Sequence, residues 1–270
     1  MSNLFWLTDE QMERLKPFFP KSHGKPRVDD RRVLSGIIFI NRNGLRWCDA
    51  PREYGPPKTH YNRWKRWGDM GVFARMMEGL ACSGGEEKVV IIDATYLKAH
   101  RTASSLRAKK GGPDDQRGRL IGRTKGGLNT KLHAVTDAKG RPLRFFMTAG
   151  QVSDDTGAAA LLGSLPAAEW LIADRGCDAD WFREALKDKG IRPCIPSRRS
   201  RGKAARYDKR RYKRRNRIEI MFGRLKDWRR VATRYTLHAT RYTLHATRYD
   251  RCAKTFLSAI ALAATVMFWL

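Results

Sequence analysis

The chain is short of cysteine, of acidic residues and of long apolar runs. Its five cysteines, Cys48, Cys82, Cys177, Cys194 and Cys252, are odd in number and scattered, with no C-x-x-C pair. That excludes a disulfide framework and a cysteine-rich zinc site and points to a reducing compartment. The opening MSNLFWLTDE has neither the basic start nor the apolar stretch of a secretory signal, so none is expected. The last apolar run, FLSAIALAATVMFWL, falls short of the ~20 residues needed to cross a bilayer. A buried final helix is expected there, and no membrane contact. Acids are outnumbered: 27 Asp and Glu face 55 Lys and Arg, a formal charge of +28.

What is present argues for a folded, polyanion-binding protein. A hydrophobic content of 41% over 270 residues supports a true core and excludes a disordered basic tail. A large positive excess attracts phosphates, because each neutralised phosphate releases counterions whatever the sequence. Double-stranded DNA is the expected partner, ahead of an anionic membrane surface.

Residues 1–80 read as helical. Thr8 and Gln11 form a capping-box pattern, Asp29 or Asp30 opens a second helix over Val33, Leu34, Ile37, Ile38 and Ile40, and Gly44 closes it. A third helix, capped by Thr59, sets Tyr61, Trp64 and Trp67 on one side and Asn62, Arg63, Lys65 and Arg66 around the rest. Anchoring aromatics with exposed amide and cationic groups are what a helix-turn-helix-like recognition helix requires. Residues 81–87 are expected to be a linker.

Residues 88–270 are expected to form an α/β domain. KVVIIDATYLKAH, NTKLHAVTD, PLRFFMTAG, EWLIAD and IRPCIP read as strands, with helices between and after them, giving a mixed sheet flanked by helices. Asp93 and Asp174 each end an apolar strand, where a side chain emerges at the rim of a sheet. One such acid is commonly a turn-former; two side by side repel unless a cation sits between them. Glu219 is the one carboxylate in the middle of the basic segment RRYKRRNRIEIMFGRLKDWRR. On a continuous helix Tyr212, Arg215, Glu219 and Lys226 lie at about 0°, −60°, −20° and −40°, one narrow stripe. Glu219 can therefore supply a third metal-binding carboxylate while its basic neighbours meet phosphates. Asp154, Asp178 and Asp180 are expected to be helix-start caps.

Tyr212-x2-Arg215-x3-Glu219-x6-Lys226 resembles the Y-R-E-K signature of bacterial insertion-sequence transposases with a D-D-E triad. IIDATYLKAHRTA, GRTKGGLNTKLHAVTDAKGRPL and LIADRGCDAD resemble their flanking blocks, and the chain is most similar to the insertion-sequence-five group. The resemblance implies an RNase H-like catalytic fold with Asp93, Asp174 and Glu219 as catalytic and metal-binding residues. It implies two Mg²⁺ ions, with Mn²⁺ as a substitute, because all three ligands are hard oxygens. Arg215 and Lys226 would meet DNA phosphates and Tyr212 would position the strand. The implied reaction is cleavage at the terminal inverted repeats and transfer of the 3′-hydroxyl ends to target DNA. The implied state is a homodimer on DNA, in the bacterial cytoplasm with the nucleoid. Three other readings are a DNA-binding regulator without catalysis, an RNA–DNA hybrid nuclease, and a transposase remnant inactivated by a repeat. That repeat is ATRYTLH, at 232–238 and again at 239–245, followed by ATRY at 246–249. It departs from the family pattern as an insertion at 232–249, expected to bulge as a surface loop without undocking the final helix.

Overall fold

The computed structural model describes residues 3–21, 29–82, 88–101, 119–239, 244–250 and 252–270. These fall into two units, one from the described parts of Met1–Gly79, His100–Leu106 and Leu225–Leu270, the other from those of Leu80–Ala99 and Arg107–Arg224.

In the first unit, helix α1 (Asp9–Leu15) opens on the expected capping box: the Gln11 N–H donates to Thr8 Oγ1 at 3.2 Å and the Thr8 N–H to Gln11 Oε1 at 3.0 Å. Helix α2 (Asp30–Asn43) is capped by the Asp29 carboxylate, and it ends at Gly44, whose φ of 65° suits a residue without a Cβ. Its apolar residues Val33, Leu34, Ile37, Ile38 and Ile40 are all fully buried. Helix α3 (Pro57–Asp69) begins with Pro57 at its first position, so the expected Thr59 cap is not formed; proline fits there because the first amide has no partner inside the helix. Helix α4 (Val72–Cys82) runs into the stretch expected to be a linker, and 83–87 lie outside the described residues.

The C-terminal segment packs with these helices, which differs from the expected catalytic domain over 88–270. Helix α9 (Arg229–Ala232) lies on α2, and α10 (Ala253–Ala264) lies on α2, α3 and α9. Phe256, Ala259, Ile260, Leu262 and Ala263 of α10 are at most 1% exposed, so the helix needs cover all round, and α2 and α3 supply it. Ser258 sits where a side chain at Gly68 would go, 3.2 Å from a Cβ built there, and Lys254 Nζ donates to the Asp69 carbonyl at 2.5 Å. No helix among the described residues is long and apolar enough to cross a membrane. The repeat is not a loop. It forms strands β7 (Tyr235–Ala239) and β8 (Leu244–Tyr249), paired antiparallel with Tyr235 opposite Tyr249 and His238 opposite His245. Thr, Tyr and Val-like shapes favour the pleated backbone, so a duplicated copy finds its partner in itself.

The second unit is a six-stranded mixed sheet. Strand β1 (Val89–Lys98) is central. On one side it pairs antiparallel with β3 (Gly127–Thr136), whose outer edge takes both β2 (Gly122–Thr124) and β4 (Pro142–Ala149). On the other side it pairs parallel with β5 (Trp170–Ile172), which pairs parallel with β6 (Arg192–Cys194). Helices α5 (Asp154–Leu162) and α6 (Asp180–Asp188) pack against it, α5 so closely that a Cβ at Gly157 would overlap the buried His133 ring. Three antiparallel strands leading into two parallel ones, the first strand in the middle, make an RNase H-like sheet. A short helical turn α7 (Lys209–Tyr212), a 3₁₀ turn over Lys213–Arg215 and helix α8 (Asn216–Lys226) follow.

Candidate active site

The parallel pairing of β1 and β5 sets the first two acids side by side. Ile91 is in register with Ile172, the last residue of β5, and Asp93 and Asp174 each lie two residues further along. Asp174 is near enough to raise the Asp93 pKa, though by less than burial does. Asp174 caps the 3₁₀ turn Arg175–Cys177, where its Oδ1 accepts the Gly176 N–H at 2.8 Å, so the turn-forming role and the site role fall on one residue. A Cβ at Gly176 would lie 2.8 Å from Asp174 Oδ1 and 3.0 Å from Asp154 Oδ2, so a side chain there would press on both carboxylates.

Glu219 arrives on α8. Ile218, Met221, Phe222 and Leu225, at helical spacing, are buried, whereas Ile220 is 58% exposed. The helix start is fixed to the β3–β4 turn: Arg217 donates to the Ala138 carbonyl at 2.7 Å, and Gly140, at φ 82°, leaves room for the Arg217 carbonyl, which a Cβ would meet at 2.9 Å. Upstream, the Trp170 ring lies between the guanidiniums of Arg192 and Arg211, each 4.2 Å from its centroid, which ties α7 to the sheet. The stripe predicted on one continuous helix is interrupted by the 3₁₀ turn, yet Arg215 still faces the acids.

Arg215 joins them. One terminal nitrogen donates to Asp93 Oδ2 at 2.5 Å and the other to Glu219 Oε1. Burial pushes the Asp93 carboxyl up to about 6; Arg215 and the Ala94 N–H oppose this, while Asp174 and Glu219 add to it. Burial lowers the Arg215 pKa, but Asp93, Tyr212, Glu219 and Asp174 together lift it above its ordinary value. Tyr212 feels the same centre: burial raises its pKa, with Arg215 opposing and Asp174 and Asp93 adding, and its ring meets that of Tyr207 edge-on at 5.5 Å. Asp93, Asp174, Glu219, Arg215 and Tyr212 therefore share one electrostatic neighbourhood. Lys226 closes α8, and burial lowers its ammonium pKa.

On α3 of the first unit, Trp64 and Trp67 are buried anchors, but Tyr61 is 46% exposed. Asn62, Lys65 and Arg66 face solvent, Lys65 paired with Asp69 at 3.3 Å, while Arg63 lies 5.7 Å over the Trp67 ring. His60 is fully buried.

Two further residues escape sequence reasoning. Asp178 is no cap: it is buried and accepts from Arg183, Arg201 and the Arg198 N–H. Burial raises its pKa, and these donors more than offset the rise. Lys131, buried on β3, donates to Asp154 at 3.1 Å. The signal for both is an ion partner distant in sequence, which spacing does not reveal.

A family profile described as "Transposase DDE domain" matches residues 84–244, and another, "Putative transposase of IS4/5 family", matches residues 7–77. The "Putative transposase for insertion sequence element IS6501" of Brucella ovis is 39% identical over 108 residues, 40% of this chain and 83% of that relative. The "Putative transposase for insertion sequence element IS402" of Burkholderia cepacia is 35% identical over 126 residues, 36% of this chain and 60% of that relative. Among solved structures, a piggyBac transposase synaptic complex with hairpin DNA aligns with 97% of this chain and 72% of its own, at a TM-score of 0.49 and 8% identity. With the DDE-domain profile alone spanning more than half of its residues, the chain belongs to the DDE-domain transposases.

Proposed function

We propose that the chain cuts the ends of its insertion element and joins the freed 3′-hydroxyls to target DNA, with Asp93, Asp174 and Glu219 as ligands for two divalent ions, Mg²⁺ first and Mn²⁺ as a substitute. The donor chemistry fits, since three carboxylates offer hard oxygens. Among the described residues no three His, Cys, Asp or Glu side chains yet enclose one point. In their place a single guanidinium spans Asp93 and Glu219.

That bridge is the observation that carries the reading. Asp93 and Glu219 share one guanidinium, and burial drives the Asp93 pKa up to about 6. A site so short of positive charge is suited to dications. Asp93, Asp174 and Glu219 would hold the ions. When bound, the ions supply charge to the attacking and leaving oxygens of an in-line displacement. Arg215 holds the acids together in the meantime and, once relieved of them, is placed to take a DNA phosphate. Tyr212, beside it, positions the strand, and Lys226 meets a phosphate further along α8; with Glu219 they complete the Y-R-E-K set. Arg63, Lys65, Arg66 and Asn62 read the terminal inverted repeats. Two ends cut together call for a homodimer on DNA.

Glu219→Gln keeps the shape and removes the charge. The variant is expected to bind a terminal-repeat duplex as the parent does and to lose Mg²⁺-dependent nicking by ~10²-fold or more. Undiminished nicking rejects the assignment.

A further inference from the structure

Between β6 and α7 the chain runs through IPSRRSRGKAARYD without regular structure, and Arg198, Arg199, Arg201, Lys203 and Arg206 crowd it with positive charge. One buried carboxylate holds this loop down. Asp178 Oδ1 accepts Arg183 Nε at 2.7 Å; Oδ2 accepts the Arg198 N–H at 2.7 Å and Arg201 Nε at 2.9 Å. Arg183 reaches on to the Ile195 carbonyl at 2.7 Å, and Arg201 to Asp180 at 2.6 Å. The Arg198 side chain donates to the carbonyls of Arg175, at 3.1 Å, and Gly176, the turn that Asp174 opens. The loop is thus fastened to the backbone of a triad residue.

Those three guanidiniums are committed to carbonyls and carboxylates. Arg199 and Lys203 are not: both are exposed and form no ion pair among the described residues. Lys203 and Ser200 line a cleft of about 380 Å³ beside Arg198, Arg201 and Asp180, and no apolar side chain lines it. No apolar or aromatic side chain is there to grip an apolar peptide anchor, and the cleft's two arginines are tied to carboxylates and carbonyls. A backbone phosphate needs no such anchor, only cations and hydroxyls held in place.

We infer that this loop is a second DNA-holding surface, in which Arg199 and Lys203 neutralise backbone phosphates of the strand passing the Asp174 turn while Asp178 braces the loop from beneath. The inference rests on the transposase reading and extends it to residues outside the D-D-E and Y-R-E-K sets. It predicts contacts blind to base sequence.

The test uses the full chain and a labelled terminal-repeat duplex, with affinity measured across a salt series. In Arg199→Ser/Lys203→Ser the slope of log affinity against log salt should flatten by about 1.8, since each lost phosphate contact removes ~0.9. Lys187→Ser/Lys189→Ser removes the same charge from exposed positions at the end of α6 and should leave the slope as in the parent. Flattening no greater than in that control overturns the inference while the DNA reading stands. A parent chain without salt-dependent DNA binding overturns both.

Discussion

Asp93 is a carboxylate placed where its ionised form is costly. Because the folded chain holds its proton up to about pH 6 against an ordinary value of 3.8, the stability it adds is complete below pH 3.8 and is lost as the pH rises through about 6. A displacement of that size is worth about 3 kcal/mol. Metal-free Asp93→Asn should therefore melt at a higher temperature than the parent at pH 7.5, and the difference should shrink towards nothing below pH 4. Thermal unfolding across that range, with chelator present, checks this; equal melting at pH 7.5 counts against a strained acid. Mg²⁺ should raise the parent's melting temperature at pH 7.5 and leave the variant's nearly unchanged. At this scale the sequence singled out Asp93 and Asp174 by apolar runs that stop at an acid, but β1 continues to Lys98, so Asp93 lies in mid-strand and does not end it. Sequence reasoning misread Asp178 as a helix-start cap, because its partners Arg183, Arg198 and Arg201 stand among many other arginines, none marked by spacing.

At the scale of elements, the site depends on how α8 is seated. Gly140 is needed twice, for a φ of 82° and for the approach of the Arg217 carbonyl. Gly140→Val should destabilise the second unit by about 2 kcal/mol or more and lower nicking with little change in terminal-repeat affinity. Retained nicking would mean that the β3–β4 turn does not set the position of Glu219. The stripe of Tyr212, Arg215 and Glu219 was legible only in part. Periodicity assumes an unbroken 3.6-residue helix, whereas the chain tightens into a 3₁₀ turn over Lys213–Arg215 before α8 begins. The repeat misled for a related reason. Read for helical periodicity it has no seam, so it resembles a loop; its alternative is pairing between its own copies as β7 and β8. Deleting residues 236–249 should leave α10 docked and the melting temperature equal or higher. A large drop would show the hairpin to be part of the unit's support.

Across the whole molecule, composition announced that FLSAIALAATVMFWL is buried but not what buries it. Its cover, α2 and α3, lies some two hundred residues earlier, and no local pattern encodes so distant a contact. The first unit therefore needs both ends of the chain. Removing residues 253–270 should strip amide-exchange protection from Ile37, Ile38 and Ile40 of α2, all fully buried in the intact chain. Unchanged protection would contradict that interdependence. The second unit poses the larger question, whether its three acids exchange the Arg215 bridge for metal. A crystal of the full chain grown with Mn²⁺ answers it by anomalous scattering. The account predicts peaks within about 2.5 Å of Asp93, Asp174 and Glu219 oxygens, with Arg215 swung away. Mn²⁺ bound elsewhere at saturation, with Arg215 still spanning Asp93 and Glu219, would contradict it.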